Sequence, residues 1–159
     1  MVIYTENQKF TQMWIYLTQF SIIGFLIFIL AKQVSLEKSI EDNLIANITL
    51  IISLVLTIIV SILFYIIQLV TVIDEQGILI KFTPITIKKI LWSDIINIEV
   101  IQYDFVGYGI RTNSKYNYIY NVKGNKGLLI DLKNGKKVLV GTQKEENLKS
   151  FVKNEYPKL

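Results

Sequence analysis

The stretch 127-GLLIDLKNGKKVLVGTQKEENL-148 sets four lysines, Lys133, Lys136, Lys137 and Lys144, beside glycines. Lysine next to glycine suits either a loop that cradles phosphate or a hairpin with solvated edges. The phosphate loop requires G-x-x-x-x-G-K-[S/T]. Here Lys137 follows Gly135-Lys136, and Ile130 stands where the first glycine belongs. The hairpin remains, and its register can be derived. A two-residue Asn134-Gly135 turn would set Lys133 against Lys136 and Asp131 against Val138. A three-residue loop over 133–135, with Gly135 left-handed, sets Ile130 against Val138 and Leu128 against Val140. It also sets Asp131 against Lys137. Apolar pattern and cross-strand charge both choose this second register.

The end of the stretch reads as a helix start. Thr142 followed by Glu145 matches a capping box, in which the hydroxyl takes a backbone N–H and the carboxylate reaches back. Leu148, Phe151 and Val152 then share one helical face, and Pro157 is the expected stop. Upstream, short runs of period two fall at 70–74, 77–82, 86–92, 96–103, 108–112, 116–122 and 128–133, with 136–141 after the hairpin. Turn signals such as Glu75-Gln76-Gly77, Thr83-Pro84 and Lys123-Gly124-Asn125 separate them. Many short strands at this spacing predict an antiparallel sandwich or barrel, closed at one end by the helix.

Farther upstream the chain is apolar. Residues 13–31 carry no charge over 19 positions, and 44–73 none over 30. About 20 apolar residues span a bilayer as a helix. The first run exceeds the roughly 7–15 residues of a signal-peptide core, and no small-x-small cleavage site follows it. The expectation is a helical hairpin: tail 1–12, helix 13–31, loop 32–43, helix 44–69, then a β-domain over 70–159. Thr49, Ser53, Thr57 and Ser61 on the second helix, and Thr18, Ser21, Gly24 and Ala31 on the first, are expected to let the helices approach closely. Lysines 9, 81, 88 and 89 outweigh Lys32 and Lys38 of the loop, which predicts cytoplasmic termini.

Strands followed by one C-terminal helix is the order of the pleckstrin-homology fold. The stretches 92-WSDIINIEV-100, 107-GYGIR-111 and 120-YNVKGNKGLLIDLKNGKKVLVGTQKEENL-148 resemble small bacterial membrane proteins that join two transmembrane helices to a bacterial pleckstrin-homology-like domain. The likeness covers nearly the whole chain. Glu145 stands where such proteins often carry proline, a change within the first helical turn. The resemblance implies a pleckstrin-homology-like barrel at the inner membrane of a bacterium. That family is largely uncharacterised, and fold does not imply function.

Composition narrows the chemistry. The chain has no cysteine and no histidine, which removes thiol catalysis, Cys/His zinc sites and histidine as a general base. No carboxylates are spaced for a metal, so neither an enzyme nor a cofactor is expected. Tyr116, Tyr118 and Tyr120 alternate and are expected to share one face of a strand; with Tyr103 and Tyr108 they read as sheet stabilisers rather than a nucleic-acid platform. No nucleic-acid partner is expected. From residue 72 onwards there are 14 Lys and Arg against 9 Asp and Glu, a net of +5 beside −1 for the rest. A basic domain below a bilayer is drawn to anionic headgroups by about 1 kcal/mol per well-placed cation. Lys81, Lys88, Lys89, Arg111 and Lys115 are the candidate contacts to membrane or partner. The expected function is a non-catalytic interaction scaffold. The alternatives are an anionic-headgroup binder and an oligomeric helix bundle, with partners being the bilayer and a protein or second copy through the hairpin.

Overall fold

The computed structural model describes residues 3–35 and 44–156. The chain divides into two compact units, Thr11–Ile66 and Met1–Phe10 with Ile67–Leu159. The first unit is a helical hairpin of α1 (Met13–Ser35) and α2 (Leu44–Ile66). Met13–Gln33 and Leu44–Ile66 have mean hydropathies of 2.0 and 2.7, long and apolar enough to cross a membrane. No residue of α2 is buried, as suits a helix solvated by lipid, where intrahelical bonding satisfies the backbone. Relative to expectation, α1 runs past residue 31, and α2 stops three residues short of 69 because Gln68 opens a strand. The predicted loop 32–43 thus begins as helix, and residues 36–43 lie outside the described residues.

The helices run antiparallel: Tyr16, Gln19 and Ile23 of α1 meet Ser61 and Tyr65 of α2 around a groove of about 250 Å3. The packing face of α2 includes the half-buried Ser53, Thr57 and Ser61, as expected, whereas the fourth expected residue, Thr49, is exposed. That of α1 does not follow expectation. Thr18, Ser21, Gly24 and Ala31 are exposed, and the half-buried residues are Tyr16, Gln19, Ile23, Leu26, Ile29, Leu30 and Gln33. Large side chains from one helix fill the space that small ones leave on the other. The α2 hydroxyls of Thr49, Ser53, Thr57 and Ser61 each donate to the carbonyl four residues earlier at 2.8 Å, so they are satisfied within their own helix.

The second unit holds two sheets. The first has the order β1-β2-β3-β4, from β1 (Tyr4–Lys9), β2 (Gln68–Asp74), β3 (Gly77–Thr83) and β4 (Thr86–Leu91). The second has the order β5-β8-β9-β7-β6, from β5 (Ile95–Gln102), β6 (Gly109–Arg111), β7 (Tyr118–Asn121), β8 (Lys126–Leu132) and β9 (Lys137–Gly141). The helix α3 (Glu145–Glu155) follows. The eight predicted strands are present within two residues of their predicted edges. The closed antiparallel barrel is not. The 3-10 turn Trp92–Asp94 ends pairing at Leu91 and opens a new sheet at Ile95. At the far edge, β6 has only three residues, and β7 runs parallel to β9.

The stretch read as a tail contains a strand. β1 pairs antiparallel with β2 from Tyr4↔Ile73 to Lys9↔Gln68. The helical hairpin is therefore inserted between two adjacent strands of one sheet. The β8–β9 hairpin takes the register derived from its charges: Ile130↔Val138, Leu128↔Val140 and Asp131↔Lys137. Lys137 and Asp131 form an ion pair at 3.0 Å, and Gly135 has a φ of +77°. Between the sheets, Leu69, Ile73, Ile78, Ile80 and Phe82 of the first and Leu128, Ile130, Val138 and Val140 of the second are all buried.

Candidate functional site

The N-terminal strand contributes an unusual polar junction. Burial alternates along β1, and the buried positions are Tyr4, Glu6 and Gln8. The Glu6 carboxylate accepts from the Tyr4 hydroxyl at 2.7 Å, the Thr142 hydroxyl at 2.6 Å and the Gln143 backbone N–H at 2.7 Å. A buried carboxylate is tolerated when charge-assisted donors replace its water shell. Burial, reinforced by this carboxylate, raises the Tyr4 phenol above its ordinary range. The predicted capping box is thereby displaced. The Thr142 hydroxyl accepts the N–H of Lys144 at 3.0 Å but donates its hydrogen bond to Glu6, and Glu145 pairs with Lys126 at 2.6 Å instead of reaching back. Long-range partners take over both ends of a locally plausible motif. Gln8 extends the junction, its Nε2 donating to the Gly141 carbonyl at 2.6 Å. Pro157 lies outside the described residues.

The five candidate basic residues do not form one patch. Lys81 lies opposite Ile87 and Lys89 opposite Leu79, on the outer face of the first sheet. The Lys89 amine donates to Gln76 Oε1 at 2.5 Å. Lys88, one residue away, points to the inner face, 3.6 Å from the centroid of the Tyr118 ring. Burial, and then the charge of Lys136, drive its amine below the ordinary lysine range. Arg111 is exposed at the end of β6, its Nε donating to the Tyr108 carbonyl at 3.1 Å. Lys115 stands 5.3 Å from the Tyr116 ring in the next loop. The tyrosines split similarly. Tyr118 and Tyr120 share a face of β7, whereas Tyr116 packs with Tyr103, Ile119 and Leu139 in a buried cluster on the other side. Tyr103, Tyr116 and Tyr120 are buried and contribute to packing.

Two exposed apolar features of this unit are absent from the sequence reading. Lys9, Gln68 and Thr83 form a single row across β1, β2 and β3. The turn after Thr83 therefore stands beside the points where the chain leaves for α1 and returns from α2. That turn presents Ile85, and β4 presents Ile87 two rows in from Thr83; both are exposed. The loop after β5 presents Phe105, packed edge-on against Tyr108 at 5.6 Å, above an open groove of about 450 Å3 that also meets Gln102, Tyr103 and Asn125. Large apolar residues at turn positions were the available sequence signal. No family model, curated protein or solved structure matches the chain.

Proposed function

We propose that this is an integral membrane protein presenting a non-catalytic, pleckstrin-homology-like interaction domain at the cytoplasmic face of a bacterial inner membrane. One observation carries the reading: β1, which precedes the apolar hairpin, pairs along its length with β2, which follows it. Both strands must then lie on one side of any membrane the hairpin crosses, and the domain is tethered by two chain connections at one end of a single strand pair. A four-stranded sheet, a second sheet and a C-terminal helix, in that order, support the pleckstrin-homology-like assignment. The basic surplus after residue 72 supports the cytoplasmic side.

A tether of this kind restricts a domain to the membrane plane and raises its effective concentration towards membrane partners. The test is photo-crosslinking of the full chain in native membranes, with probes on the exposed faces of β4 and β6. The proposal expects discrete bands above monomer mass, from a protein partner or a second copy. Bands at monomer mass alone would overturn the scaffold reading. An anionic-headgroup contact is the second reading, favoured by Lys81 lying two rows from the helix attachment points.

A further inference from the structure

β4 is a terminal strand. It pairs with β3 along one edge, and among the described residues no strand pairs with the other. The direction of its backbone groups follows from one bond. The Trp92 N–H donates to the Gln76 carbonyl at 3.4 Å, one step beyond the pair Gly77↔Leu91. In an antiparallel ladder, hydrogen-bonded and non-hydrogen-bonded pairs alternate. Thr86, Lys88 and Ile90 therefore turn their N–H and C=O groups to β3, whereas Ile87, Lys89 and Leu91 turn theirs to the free edge. A row of such groups is a template for one more strand.

The side chains of β4 select the strand that fits. Ile87, Lys89 and Leu91 are exposed on the outer face, and Lys88 is half-buried on the inner one. Lys88 lies over the Tyr118 ring at 3.6 Å, with Lys136 as a charged neighbour. Lys89 donates to the neutral amide of Gln76, and Lys81 lies opposite Ile87. The ion pairs among the described residues are Lys126–Glu145 and Lys137–Asp131, so neither Lys88 nor Lys89 has a carboxylate partner. Asp74, Glu75 and Asp94 lie at the Leu91 end of the strand, at its flanking turns. The uncompensated charge is therefore in the middle of β4, between two exposed apolar side chains. Lysines on an edge discourage pairing with a like strand and favour one that neutralises them.

We propose that the free edge of β4 pairs with an extended segment of a protein partner, one that sets acidic residues opposite Lys88 and Lys89 and apolar residues opposite Ile87 and Leu91. Directly opposite side chains share a face, so opposite charges and apolar pairs both stabilise such an added strand. A second copy of β4 does not fit. The two antiparallel registers that pair most of the strand with its symmetry mate place Lys88 opposite Lys88 or Lys89 opposite Lys89, and like charges directly opposite are destabilising. An anionic headgroup would neutralise the lysines but offers no ladder of donors and acceptors to the edge. The proposal rests on the interaction-domain reading above and names the chemistry of its partner.

For the test, the full-length chain is reconstituted in nanodiscs of zwitterionic phospholipid, which removes anionic lipid as a competitor. Two fluorescein-labelled peptides are titrated by anisotropy: Thr-Val-Glu-Glu-Val-Thr, and the same peptide with lysine in place of both glutamates. The acidic peptide is expected to bind and the basic one not to. Ile87→Pro removes an N–H from the free edge alone, where proline is tolerated. It is expected to weaken binding about tenfold, the scale of one or two lost hydrogen bonds. The double variant Lys88→Glu, Lys89→Glu is expected to reverse the preference between the peptides. Hydrogen exchange on the unsubstituted chain gives a reading that needs no variant: the acidic peptide should slow exchange of the Ile87 and Lys89 amides. No binding of the acidic peptide would overturn the proposal. Binding that ignores Ile87→Pro and leaves the amides of 87 and 89 unprotected would also overturn it, since a basic surface alone would behave so. Discrete crosslinks in native membranes without peptide binding would overturn the strand pairing and leave the interaction reading standing.

Discussion

At the scale of single residues, Glu6 ties the N-terminal strand to the start of α3. Replacing it, Glu6→Ala, strands the Tyr4 and Thr142 hydroxyls and the Gln143 N–H inside the protein. The loss is about 3 kcal/mol of stability, since unpartnered buried donors cost more than the bonds contribute; denaturant titration of the detergent-solubilised chain measures it. Tyr103 predicts the opposite. Its hydroxyl has no hydrogen-bond partner among the described residues, so Tyr103→Phe changes stability at neutral pH by under about 1 kcal/mol. The difference appears in alkali. Burial, then the neighbouring Tyr116, raises the Tyr103 phenol to about 12 from 10.0. A raised folded-state value means that its stabilising contribution is whole below pH 10 and is lost as pH rises through 12, because the unfolded chain ionises first. Tyr103→Phe therefore flattens the fall in stability between those values, as pH-dependent unfolding would read. Tyr103 was legible in the sequence as a packing aromatic and is buried in such a cluster, whereas Glu6 was not legible: it stands in what reads as a tail, and the Thr142–Glu145 signature points to local partners while the structure gives them Glu6 and Lys126.

Among elements, the β8–β9 hairpin was the most legible, because two independent signals, apolar facing and charge pairing, selected one register. Its turn makes a clean test. Gly135→Ala meets no atom within 4 Å, so its cost is the left-handed backbone alone, about 1 kcal/mol. Gly127→Ala costs more, because a Cβ there would stand 2.5 Å from the Val140 carbonyl oxygen and force two paired strands apart. Thermal unfolding of the two variants should rank them in that order. β1 was illegible for a physical reason. Its inward residues are Tyr4, Glu6 and Gln8, and Ile3 is exposed, so the alternation of apolar and polar that marks a strand is absent. Its partner also stands beyond an insertion of more than fifty residues. The parallel β7–β9 pair was hidden similarly, since local pattern says nothing about which non-consecutive strands meet. The candidate lysines were chosen by charge alone; strand alternation then sent Lys88 inward to Tyr118 and Lys89 outward. On α1, spacing of small residues suggested a packing face, but Thr18, Ser21, Gly24 and Ala31 are exposed and larger side chains such as Tyr16 and Ile23 take the contact.

For the molecule as a whole, the hairpin interrupts the sheet domain rather than preceding it. Removing residues 1–9 should then leave β2 as a bare edge and strip the Gly141 carbonyl of its Gln8 donor; limited trypsinolysis of the truncated chain in membranes is expected to cut the sheet domain much faster than the full chain. The most direct test of the central claim is sidedness, measured on Thr5→Cys and Asn134→Cys, two exposed positions that lie before and after the hairpin in a chain without other cysteines. A membrane-impermeant maleimide is applied to right-side-out and to inverted inner-membrane vesicles. The account predicts that both positions are labelled in inverted vesicles and neither in right-side-out ones. Labelling of the two from opposite sides would contradict the pairing of β1 with β2 across a membrane hairpin, and labelling of both from the outside would contradict the cytoplasmic domain.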